Sequence, residues 1–227
     1  MKLIYVLKGN GIIHQIGYKN SNNTKGILMS QWIITPDKYL NTDELISLRK
    51  AAAESAIIAR SKGNQTAVRN QLIIELAIGT GLRVSELTNM QIQDLHLGKG
   101  QNSLVVRNGK GGKDRVVAFN TMLKNLISEY LEYRVNQSQY LFHSERGEQM
   151  TRFGIGRIFK TIAKLAGISE HHSIHSLRHT YATNLYKASN YNLRLVQKQL
   201  GHSSITTTSV YSDVISKDLD DALEKLD

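Results

Sequence analysis

The chain of 227 residues is long enough for one large domain, or for one domain with a small extension, and its 41% hydrophobic content is that of a protein with a buried core. Lys and Arg number 29 against 19 Asp and Glu, and the net charge of +10 points to a polyanionic partner, nucleic acid first and an anionic membrane surface second. The absence of cysteine excludes disulfides, thiol nucleophiles and cysteine-bound zinc, and no apolar run reaches the ~20 residues of a membrane span, so a cytoplasmic protein with no membrane partner is expected.

Residues 1–35 read differently from the rest. Two β-rich runs, Leu3–Leu7 and Ile12–Tyr18, flank Lys8-Gly9-Asn10-Gly11, a hairpin signal. Pro36 is the only proline, and a boundary is expected at about residue 40. Three parts follow: a hairpin and loop extension over 1–40, a main domain over 41–212, and a tail over 213–227. The tail holds six acidic side chains against Lys217 and Lys225, a net −4, while the other 212 residues hold 27 basic against 13 acidic, a net +14. Leu219, Ala222, Leu223 and Leu226 form a narrow apolar stripe in the tail, as on a helix that docks on protein rather than on DNA.

Within the main domain, Asn41 and Glu44 have the spacing of a capping box. A second helix is expected from Thr66, carrying Val68, Leu72, Ile73, Leu76 and Ala77 and ended by Gly79 and Gly81. A short helix begins just past Arg83. In residues 103–119, two β-rich segments flank a turn that presents Lys110, Lys113 and Arg115. Helices are expected over 120–135, 151–166, 174–189 and about 192–200, and a short one holds Tyr211. The fold class expected is mainly α with a small β-hairpin sheet (α+β).

The residues that suit a phosphate cluster in 171–212: His175, Arg178, His179, His202 and Tyr211, with Arg83 far upstream. No acidic cluster of the two-metal kind is legible, so charge building on a phosphate would be met by side chains. Arginine grips two phosphate oxygens with one planar fork. A tyrosine hydroxyl can attack the phosphorus and store the bond as a phosphotyrosine, which needs neither metal nor ATP to rejoin. His175 and Arg178, three apart at a helix start, point to one ligand. The competing readings are ordinary. Tyr211 is one of ten tyrosines, and a tyrosine on a short helix is usually half-buried packing. His175 and His179 are four apart, but Ser176 stands where a zinc-peptidase helix has its glutamate. Lys113 and Arg115 read as solvated or phosphate-positioning, DNA-binding residues.

Three ordered segments resemble the tyrosine recombinases, the phage integrase and Xer-type group. TGLRVSEL (80–87) is similar to that family's first box, HSLRHTYAT (175–183) to its His-x-x-Arg box, and LGHSSITTTSVYSDV (200–214) to its last. GKGGKDRVV (109–117) resembles the hairpin that supplies a catalytic lysine, with Lys110 at that position. The resemblance covers about residues 42–227. It implies a recombinase catalytic domain in which Tyr211 is the nucleophile and Arg83, Arg178 and His202 hold the non-bridging oxygens. It further implies that Lys110 protonates the leaving 5′ oxygen and His175 assists proton transfer, with Glu86 and His179 in support. No cofactor or metal is implied. The implied partner is double-stranded DNA, bound by a homo-tetramer on two sites, with the tail helix docking on a neighbouring subunit. DNA integration by a mobile genetic element fits that group. The family usually has a helical core-binding domain ahead of the catalytic one, forming the other half of a DNA clamp. Here about 40 residues precede it. Two alternatives follow: a DNA-binding accessory protein that keeps the fold, and a type IB-like topoisomerase.

Overall fold

The computed structural model of the chain describes residues 36–107, 109, 112–135 and 137–202. All of them fall in one unit, Trp32–Asp227. The expected hairpin of residues 1–35, Lys110, the short helix around Tyr211 and the tail from residue 213 lie outside the described residues.

The first helix, α1 (Thr42–Ser61), opens on the capping box: Glu44 N donates to Asn41 Oδ1, and Asn41 N to Glu44 Oε2, each at 2.9 Å. Helix α2 (Gln65–Thr80) is apolar on nearly every face, the pattern of a central helix. Leu72, Ile73, Ile74 and Leu76 are fully buried, and α1, a fourth, a fifth and a sixth helix pack round it. Two local expectations are corrected here. The helix starts at Gln65, one residue before the expected Thr66, and Asn64 caps it, accepting from Thr66 N at 2.8 Å. Gly79 stays inside it, and the helix ends only where Gly81 takes a left-handed φ of 63°.

Helix α3 (Val84–Asn89) follows, then a sheet of three antiparallel strands in the order β1 (Leu95–His96), β2 (Ser103–Val106) and β3 (Arg115–Ala118). Leu104 sits opposite Val117, and Val106 opposite Arg115, so Arg115 and the buried Val117 share one face. Helices α4 (Thr121–Tyr133), α5 (Arg152–Leu165), α6 (Ile174–Ala188) and α7 (Leu193–Leu200) complete the described chain. Phe142 and Phe159 are the largest fully buried side chains. A second cluster of Ala182, Tyr186, Val196 and Leu200 joins α6 to α7, with Tyr181 packed against it. Leu40 N donates to Thr180 Oγ1 at 2.9 Å, which ties the approach to α1 onto α6. Among the described residues the architecture is mostly helical with one small sheet, as expected from the hydrophobic periods and the hairpin of residues 103–119.

Candidate active site

The site begins with Gly81. Its left-handed turn lifts its carbonyl off the end of α2, and that carbonyl accepts from Arg178 Nη1 on α6. A Cβ at Gly81 would collide with Tyr181 Cδ1 and stand 3.0 Å from Leu200 Cδ2, so only glycine lets these elements meet. Arg178 Nη2 donates to the Leu200 carbonyl at 3.0 Å and to His202 Nε2 at 2.9 Å. One buried guanidinium therefore joins the end of α2, the first turns of α6 and the end of α7. Because arginine only donates, His202 Nε2 accepts, and a neutral ring then carries its proton on Nδ1. Gln197 holds the His202 backbone from both sides: its carbonyl accepts from His202 N, and its side-chain amide donates to the His202 carbonyl, both at 3.1 Å.

Arg83 stands just before α3, one-quarter exposed. Its backbone N–H donates to Glu86 Oε2 at 2.8 Å and its Nη1 to Glu86 Oε1 at 2.9 Å. Glu86 is buried, and burial alone would push its carboxyl up. The hydrogen bonds and charges of Arg115 and Arg83 outweigh that and hold it at about 2.

Arg115 departs from expectation. It is not solvated on the loop. It lies on β3 facing inward, and its Nη1 and Nη2 donate to Glu86 Oε1 and Oε2 at 2.8 and 2.9 Å. Lys113 is exposed.

His175 is exposed on the first turn of α6, while His179, one turn on, is half-buried. Burial, Arg178 and Arg83 push the His175 imidazole below its usual range. Burial, then Arg178, His175 and Lys38, bring His179 to about 4, so it is neutral at pH 7. Both histidines line an open cleft of about 370 Å³ with Asp37, Lys38, His171, Ser173 and Ser176. Among the described residues, no group of three His, Asp or Glu side chains is placed to hold a metal ion, and no helix is long and apolar enough to cross a membrane.

The structure thus brings together Arg83, Glu86, His175, Arg178, His179 and His202 from three separate segments. Lys110 and Tyr211 lie outside the described residues. Sequence reasoning missed the inward role of Arg115 and the holding role of Gln197. For Arg115 a signal existed, since alternation puts it on the face of Val117. For Gln197 there was none, because its bonds run to backbone atoms five residues on.

A helical domain with a small sheet, in which two arginines and three histidines converge, has the make-up of an anion-binding centre of the kind that handles phosphate. The chain belongs to the phage integrase family, the tyrosine recombinases: the phage integrase family model matches residues 39–217. Tyrosine recombinase XerA of Pyrococcus furiosus is 40% identical over 161 residues, covering 70% of this chain and 54% of the relative. The crystal structure of XerA recombinase superposes with a TM-score of 0.68 at 30% identity, over 82% of this chain and 64% of that one. The XerH site-specific recombinase bound to its difH substrate before cleavage gives a TM-score of 0.66 at 28% identity, over 80% and 52%. The chain therefore spans between half and two-thirds of the length of these relatives.

Proposed function

We propose that this chain is a site-specific recombinase that cleaves and rejoins DNA strands through a 3′-phosphotyrosyl intermediate. The observation that carries the reading is Arg178, whose guanidinium gathers Gly81, Leu200 and His202 from segments that the sequence keeps apart. In this reading Arg83, Arg178 and His202 receive the non-bridging oxygens of the scissile phosphate. Tyr211 Oη attacks phosphorus as the P–O5′ bond breaks. The tyrosine proton passes to His175, whose depressed pKa leaves it neutral and able to accept. Lys110 returns a proton to the leaving 5′ oxygen. One phosphoester forms as one breaks, so a second strand's 5′ hydroxyl reverses the reaction with no energy source.

The catalytic domain is assigned to residues 41–212, with 1–40 as an extension and 213–227 as a tail helix. Lys113 is a DNA contact. The working form is a homo-tetramer on two duplex sites in the cytoplasm, with the acidic tail docked on the neighbouring subunit. Likeness to XerH, which is bound to its DNA substrate, supports the DNA partner.

The test uses a library of nicked duplexes with a randomised core, captured covalently on the protein and resolved on a denaturing gel. Wild type is expected to give a retarded protein–DNA band, and Tyr211→Phe none. An equal band from Tyr211→Phe would refute the nucleophile.

A further inference from the structure

The place of Arg115 raises a question of charge that rests on the recombinase reading. Both oxygens of Glu86 are shared. Oε1 accepts from Arg83 Nη1 and Arg115 Nη1, and Oε2 accepts from the Arg83 backbone N–H and Arg115 Nη2. A carboxylate against an arginine that must bind phosphate is a competitor for it. Taken alone, Arg83 and Glu86 form a neutral pair, and an arriving phosphate meets little net charge. The third member changes that sum. Arg115 and Glu86 are the buried pair, with side chains 12% and 7% exposed, while Arg83 is 25% exposed. The charge of Glu86 is thus met from beneath, and the charge that remains is the one nearest solvent.

Arg115 is also fixed from the other side. Gly201 has a φ of 67°, and a Cβ there would lie 2.5 Å from Arg115 Cδ and 2.7 Å from Nε. The residue before His202 therefore rests on the Arg115 stem. Arg115 Nε is buried with no hydrogen-bond partner among the described residues, and the polar grip of Nη1 and Nη2 is aimed at Glu86.

We propose that Arg115 is a positioning residue of the cleavage centre: it neutralises Glu86, so that Glu86 fixes Arg83 by hydrogen bonds without cancelling the positive charge that Arg83 offers the phosphate. A mere DNA contact or a merely structural pair leads to different results from this one.

The test is a double-mutant cycle on the captured nicked duplex. Arg115→Gln is expected to slow adduct formation about 100-fold, the scale of a displaced catalytic group, with duplex affinity and its salt dependence unchanged. Adding Glu86→Gln removes the unbalanced carboxylate and is expected to recover about tenfold of that loss, on the same scale. Arg115→Lys keeps the charge and is expected to retain more activity than Arg115→Gln, which serves should Arg115→Gln fail to fold. A double variant no faster than the single one overturns the proposal, as does a single variant that loses duplex affinity with a shallower salt slope. If wild type forms no adduct with any duplex, the recombinase reading fails on its own. The proposal is then judged by titrating inorganic phosphate against the Arg83 Nε–H resonance. Weaker binding by Arg115→Gln, restored in the double variant, upholds it, and equal binding by all three proteins overturns it.

Discussion

Burial first, and then nearby positive charge, holds His179 neutral, while its arginine partners hold Glu86 charged, and both groups make the fold sensitive to acid in the same direction. His179 titrates at about 4 in the folded chain, against 6.5 for an ordinary imidazole. Below pH 6.5 the unfolded chain takes up a proton there that the folded chain refuses, so stability present above pH 6.5 is lost as pH falls toward 4. Glu86, at about 2 against 4.5, repeats this lower down: its contribution is present above pH 4.5 and is lost as pH falls toward 2. Urea midpoints followed from pH 7 to pH 4 are expected to fall, and His179→Gln to flatten that fall. An unchanged slope in His179→Gln would show that the imidazole is not held neutral.

At the scale of elements, the site is made by chain ends that meet: the end of α2, the start of α6 and the end of α7. Gly81 and Gly201 are the joints. Gly201→Ala forces an L residue into a left-handed φ and drives a methyl onto Arg115 Cδ. A loss of about 1–2 kcal/mol from the backbone alone is expected, which for a chain of this size is a fall in Tm of roughly 2–8 °C. Calorimetry on the single variant checks it. The elements also mark how far the sequence was readable. The capping box of Asn41 and Glu44 was legible because its partners are three residues apart. The long helices were legible from their apolar period. The β1 strand was not, since two residues carry no alternation. The inward end of Gly79 was not, since a glycine stops a helix only where the next turn needs a left-handed residue, and here that residue is Gly81. The Arg115–Glu86 bond spans 29 residues, and no local rule reaches that far.

For the whole molecule, the net +14 of residues 1–212 is, in the proposed reading, the term that brings DNA to the site. Duplex affinity is expected to fall with salt on a log–log plot, with a slope of roughly −0.9 for each phosphate neutralised. Lys113→Gln is expected to make that slope shallower by about 1, the mark of one lost phosphate contact. Arg115→Gln, whose charge is spent inside the protein, should leave it unchanged. Fluorescence anisotropy across a salt series separates the two. Removing the acidic tail, residues 213–227, is expected to leave cleavage on a nicked duplex in place while dissolving the proposed tetramer on DNA, as measured by sedimentation. Retained tetramers in the truncated protein would place the subunit contact elsewhere.

The central claim is that Tyr211 carries the DNA during the reaction. The most direct measurement digests the trapped adduct and maps by mass spectrometry which residue holds the nucleotide. The expected result is a peptide bearing a deoxynucleotide on Tyr211 through its 3′ phosphate, with a free 5′ hydroxyl on the released strand. A nucleotide on any other residue, or a link through a 5′ phosphate, would contradict it.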